Sequence, residues 1–107
     1  MAFLRCAALR WVDDEPHPGL IEVGFTDAGG RQRVFVDKVP VFTSGDLGPD
    51  SRYPVEVQVL CDILPTGSAS VTPDRARISV APWGLESLDG HVEFEVRADQ
   101  VTTLGPP

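Results

Sequence analysis

Between residues 55 and 63 apolar and polar side chains alternate. Val55, Val57, Val59, Cys61 and Ile63 fall on one side, Glu56, Gln58 and Asp62 on the other, with Leu60 the exception. A period of two predicts a strand with one buried face. Pro54 stands at its start, where a missing N–H is tolerated. The pattern recurs over 91–98, with Val92, Phe94, Val96 and Ala98 inward, and over 75–81, with Ala76, Ile78 and Val80 opposed by Arg75, Arg77 and Ser79. Over 20–26, Ile21, Val23 and Phe25 share a face, and a further strand is predicted over 31–37.

Ten glycines and ten prolines punctuate the chain. Proline costs about 3 kcal/mol inside a helix and glycine about 1, which confines any long helix to 1–15 or 91–104. In the first interval Leu4, Ala8 and Trp11 fit a helical stripe, but Asp13, Asp14 and Glu15 would then lie at the negative end of the helix dipole. A strand covered on both faces is the favoured reading. Asp27-Ala28-Gly29-Gly30 predicts a hairpin between the strands at 20–26 and 31–37, and Asp89-Gly90 a tight turn before 91–98. Pro65-Thr66-Gly67-Ser68 closes the strand at 55–63. Pro40 interrupts a strand-like run over 35–42 and predicts an edge, a bulge or a switch between sheets. The polar segment 43–51 has room for one helical turn.

These pieces predict an all-β fold, a small antiparallel barrel or sandwich of six to seven short strands with at most one short helical turn. A chain of 107 residues suits a single domain, expected over 1–101 with a flexible tail over 102–107. Apolar residues at 42% supply enough material for one core without staples.

Charge narrows the partners. The formal net charge is −7, with a single lysine, Lys38, and dispersed arginines. Phosphate backbones and anionic membranes require clustered cations, so neither nucleic acid nor a membrane surface is an expected partner. The C-terminal half carries the greater share of the negative charge, which steers cationic partners. No stretch reaches the roughly 20 apolar residues of a membrane span. Arg5 and Arg10 interrupt the first apolar run, which therefore does not resemble a secretory signal, and a cytoplasmic location is expected. Cys6 and Cys61 have no metal-ligand spacing and read as reduced, buried thiols.

Three stretches hold candidate chemistry. Asp13-Asp14-Glu15-Pro16-His17 groups three carboxylates and an imidazole, but consecutive carboxylates do not face one ion without a dedicated loop. A solvated acidic loop, or a partner contact through it, is expected rather than a metal site. Trp83 lies between Pro82 and Gly84, and Glu86 follows. A Trp held in such a loop either plugs the open end of a barrel or anchors a partner. His17 and His91 are the only imidazoles, with no nucleophile elbow or phosphate loop in the chain. No catalytic residue, metal or cofactor is predicted.

The runs Asp14-Glu15-Pro16-His17-Pro18-Gly19, Phe35-Val36-Asp37-Lys38-Val39-Pro40-Val41-Phe42, Tyr53-Pro54, Arg77-Ile78-Ser79 and Pro82-Trp83-Gly84-Leu85-Glu86-Ser87 resemble a set of small bacterial proteins of no assigned function. The resemblance implies a free-standing bacterial domain and carries no activity with it. Strand spacing alone is similar to the small barrels of translation factors, whose basic surface is missing here.

The expectation is a non-enzymatic domain that binds a basic protein through Asp13, Asp14, Glu15, His17, Trp83 and Glu86, for example as an immunity-type inhibitor. The alternative is a barrel that binds a small molecule at a mouth lined by Trp83 and one or more of Phe25, Phe35 and Phe42. A hydrolase using His17 or His91 is a third, less favoured reading. An open sheet edge would favour self-association.

Overall fold

The computed structural model describes residues 1–43, 47–64 and 74–103. One antiparallel sheet of seven strands curls into a half-barrel. The strands are β1 (Ala2–Asp13), β2 (Leu20–Thr26), β3 (Gln32–Lys38), β4 (Val55–Ile63), β5 (Arg75–Ser79), β6 (Glu93–Arg97) and β7 (Val101–Thr103). Their order is β3-β2-β1-β4-β5-β6, and β7 pairs with β1.

β1 is the strand on which the curl depends. Ala2, Leu4, Cys6 and Ala8 point into the core, while Phe3, Ala7 and Leu9 are half-buried; past a register shift between Ala8 and Arg10, Trp11 stands opposite Ile21 and packs against the core. Both faces are apolar, as expected of a strand covered on two sides. One edge of β1 pairs with β4 from Ala2 to Ala8. The other edge pairs first with β7, at Ala2 to Leu4, and then with β2 from Ala7 onward. β6 and β7 run in the same direction, joined by the 3-10 turn Ala98–Gln100, so the chain leaves β5 and returns to β1.

Alternation along β2, β4 and β6 puts Ile21, Val23, Phe25, Val57, Val59, Cys61, Phe94 and Val96 into one core with Phe35. Phe25, Phe35 and Phe94 meet there, Phe94 edge-on to the other two with centroids 5.3 and 5.8 Å away. Such pairs add about 0.5–1.5 kcal/mol each beyond the area they bury. The free edges of β3 and β6 are drawn together by loops. The Ala28 N–H donates to Glu95 O at 2.9 Å and the Leu88 N–H to Val34 O at 2.9 Å. Gln100 accepts from the Arg97 N–H and donates to Thr26 O, both at 2.8 Å, tying β2 to the start of β7.

The differences from the sequence reading are local. Residues 39–42 are not extended: Val39–Phe42 form a helical turn, α1, with Pro40 at its first turn and Val39 and Phe42 buried. Proline's fixed φ suits that position, and the helical turn therefore precedes the segment 43–51. Two 3-10 turns, Ala81–Trp83 and Ala98–Gln100, exceed the single helical turn expected. At the ends of β4, Val55 is only half-buried and Ile63 is 44% exposed, because the core lies beneath the middle of the strand. Thr102 and Thr103, assigned to the tail, pair with Phe3 and Ala2. The rest of the expected tail and the turn at 65–68 lie outside the described residues. The hairpin at 27–30 and the turn at Asp89-Gly90 form as expected, with Gly30 and Gly90 at φ +83° and +85°.

Cys6 and Cys61 are free, buried thiols. Cys6 stands opposite Val57 and Cys61 opposite Ala2, four ladder positions apart. That is about 13 Å at the rise of a strand, beyond the Cα separation a disulfide tolerates.

Candidate functional site

Strand direction decides which connections are neighbours. Each neighbour in the path from β3 to β6 is antiparallel to the next. The β1–β2, β3–β4 and β5–β6 connections therefore all leave from one end of the sheet, and β2–β3 and β4–β5 turn at the other. Asp13, Asp14, Glu15 and His17 belong to the first of these connections, and Trp83 and Glu86 to the third. The two segments, about 70 positions apart in sequence, therefore leave strands that point the same way, the second from beside Asp62 of β4.

The acidic connection is a folded loop. The Trp11 indole N–H donates to Asp14 Oδ1 at 2.8 Å, and the Glu15 N–H donates to Asp13 Oδ1 at 3.1 Å. The Gly19 N–H donates to Pro16 O at 2.8 Å, and Gly19 O accepts from the Val39 N–H of α1 at 3.1 Å. Gly19 adopts φ +121°, and the Trp11 ring lies where a side chain would begin. Trp11 thus fixes both ends of the loop, while Asp13, Asp14, Glu15 and His17 remain exposed. The peptide bonds preceding Pro16 and Pro18 are cis.

The second segment begins at the 3-10 turn Ala81–Trp83, which Gly84 terminates at φ +71°. Trp83 is half-buried, and the partly buried side chains packed on the core do not include it. Leu85, 4% exposed, belongs to the core cluster instead. Glu86 is exposed. Two apolar side chains not singled out from sequence also face solvent: Val41 of α1, 38% exposed, and Leu88, 67%, whose N–H donates to Val34 O of β3. Neither lies in a strand, so alternation assigns them no face. Asp50 adds a carboxylate to this end, against Lys38 and Arg52 among the described residues.

Ser87, Asp89 and His91 come together in the same connection, but not as a catalytic triad. The Ser87 hydroxyl donates to Asp89 Oδ1, and His91 Nδ1 lies 3.3 Å from the same oxygen. The carboxylate stands between hydroxyl and imidazole, whereas nucleophile activation needs the imidazole between them. Ser87 Oγ also accepts the His91 N–H at 3.0 Å, which makes the group a turn lock. The Ser87 hydrogen bond, with His91 beside it, holds the Asp89 carboxyl down at about 2. His17, at the β1–β2 connection, is exposed and outside this cluster. Among the described residues no group of three or more His, Cys, Asp or Glu side chains is placed to hold a metal ion. Among them, too, no helix is long and apolar enough to cross a membrane.

Of the aromatic side chains assigned to a ligand-binding mouth, Phe35 is fully buried and Phe42 is 3% exposed. Phe25 borders a cleft of about 430 Å³, but this cleft lies along β1 and β2 and does not include Trp83.

Comparison of the chain with protein-family models, with curated proteins and with solved structures gives no match. The functional reading rests on the geometry of this end of the sheet.

Proposed function

We propose that the chain is a non-enzymatic protein-binding domain whose β1–β2 end docks on a basic partner. The observation that carries this reading is that the Trp11-braced acidic loop and the connection bearing Trp83 and Glu86 both leave strands that point the same way, with their charged and aromatic side chains presented outside the core. The two segments supply different terms of an association. Exposed carboxylates accelerate encounter with a cationic surface and lose that effect in salt. Trp83 and Val41 supply apolar area, which holds the complex once formed. Two copies meeting through this acidic face would repel, so the partner is a different chain. A concrete form is an immunity-type inhibitor in the bacterial cytoplasm that covers the cationic surface of a toxin or nuclease. The resemblance to small bacterial proteins agrees with that setting. A small-molecule site at an aromatic mouth is less favoured, since Phe35 and Phe42 are taken up by the core.

The test is retention of proteins from native lysate on the immobilised domain at low and high salt, followed by calorimetry with the purified candidate. A basic protein that binds the wild type, weakens in salt and loses affinity with Trp83→Ala supports the reading. Binding that is indifferent to both salt and Trp83→Ala overturns it.

A further inference from the structure

A second site lies away from the acidic end, where β1 changes partners. Ala7 is the last residue of β1 paired with β2, opposite Gly24, and Leu4 the last paired with β7, opposite Val101. Arg5 and Cys6 therefore have no strand on that edge. Thr26 O accepts from the Gln100 side chain and so points to this edge of β2. In an antiparallel strand N–H and C=O turn to the same side at every second residue. Gly24 then turns its groups to Ala7, and Arg5, two residues before Ala7, turns its own toward Thr26. These two would form the next pair, but the strands have parted and a cleft of about 430 Å³ lies between them.

The cleft is lined by opposite charges that do not neutralise one another. Arg5 and Glu56 both border it, yet neither makes an ion pair among the described residues. Glu56 stands opposite Ala7, diagonal to Arg5 on the outer face of the sheet. Arg97 also borders the cleft, with its Nε 3.4 Å from Asp99.

We propose that this cleft binds a small zwitterion of the α-amino-acid class. The Arg5 guanidinium, reinforced by Arg97, receives the carboxylate, and Glu56 receives the ammonium group. A guanidinium matches a carboxylate with two parallel hydrogen bonds. The opened strand edge adds backbone donors and acceptors that a ligand with both charged ends can use. The volume is ample for one amino acid.

The test uses L-leucine as probe, followed by amide resonances of the isotope-labelled protein. Leucinamide and 4-methylpentanoate, each with one charge of the pair, serve as comparisons. Saturable shifts at Arg5 and Thr26 with leucine are expected, and weaker binding of both analogues. Arg5→Gln and Glu56→Gln each weaken leucine binding by about tenfold, the scale of one lost charged contact. Both positions are exposed, and thermal unfolding of each variant checks that it remains folded. An absence of saturable shifts with L-leucine, L-methionine and L-phenylalanine overturns the proposal. So does binding of 4-methylpentanoate as tight as that of leucine, because the ammonium contact would then contribute nothing.

Discussion

The Arg33 guanidinium lies over the Phe94 ring, 5.4 Å from its centroid, and so joins β3 to β6 across the open side of the half-barrel. Its Nε donates to Asp27 Oδ2 at 2.9 Å and its Nη1 to Asp89 Oδ2 at 3.1 Å. The group is largely buried, with Asp27 equally so. Arg33→Met keeps the stem but leaves Asp27 without its cation. A loss of about 2–3 kcal/mol is expected, less than for a fully buried pair because water reaches part of the site. Urea unfolding measures it. In the double variant with Asp27→Asn, the loss is smaller than the sum of the two single losses.

Acid stability follows from the same pair. Burial works to raise the pKa of Asp27. The Arg31 and Gly29 N–H groups and the Arg33 guanidinium outweigh it, and the carboxyl titrates below its ordinary 3.8. The folded value lies below the unfolded one, so this contribution is present above 3.8 and disappears as pH falls through the folded value. Unfolding free energy measured from neutral to acid pH should fall more shallowly below that point in Asp27→Asn than in the wild type.

The thiols set an alkaline limit. Burial, with the Asp62 carboxylate adding to it, pushes the Cys61 thiol up to about 11, and burial drives Cys6 well above the ordinary thiol range. Here the folded value lies above the unfolded one. The stabilisation is complete below 9.0 and is lost toward about 11 for Cys61. In the folded protein a thiol-reactive disulfide reagent at pH 8 should modify neither cysteine, and in urea both. Modification of either thiol in the native state would contradict the burial of the β1–β4 core face.

Gly19 tests the brace beneath the acidic loop. Gly19→Ala demands a side chain at φ +121° where the Trp11 ring already lies. A destabilisation of about 1–3 kcal/mol is expected from the backbone conformation and the displaced ring. Because the indole is anchored to Asp14, tryptophan fluorescence should shift in the folded variant, and partner affinity should fall.

The strands of this fold were largely legible. β4 follows the alternation over 55–63, and the cores of β2, β5 and β6 follow Ile21, Val23, Ile78, Phe94 and Val96. Pattern failed where context changes the meaning of a residue. Pro40 reads as a strand interruption, yet its fixed φ starts a helical turn that carries Phe42 inward. Trp83 reads first as a plug and second as an anchor, yet it is Leu85 that belongs to the core cluster. The acidic loop and the Trp83 turn could each be named from sequence, but their shared end depends on strand order, which a single sequence does not encode. The cleft beside Arg5 arises from a change of strand partner within β1, and no local pattern marks such a change.

The account rests on the β1–β2 end being the docking face. The most direct measurement compares affinity for the captured partner in two charge-reversed proteins. One carries Glu15→Lys and Glu86→Lys, which spare the Trp11–Asp14 hydrogen bond. The other carries Asp74→Lys and Asp99→Lys, near the Ala98 N–H to Asp74 O contact away from this end. Both have the same net charge. The account predicts a loss of at least about tenfold for the first and little change for the second at moderate salt. Equal losses would mean that only net charge matters, and the docking face would be refuted.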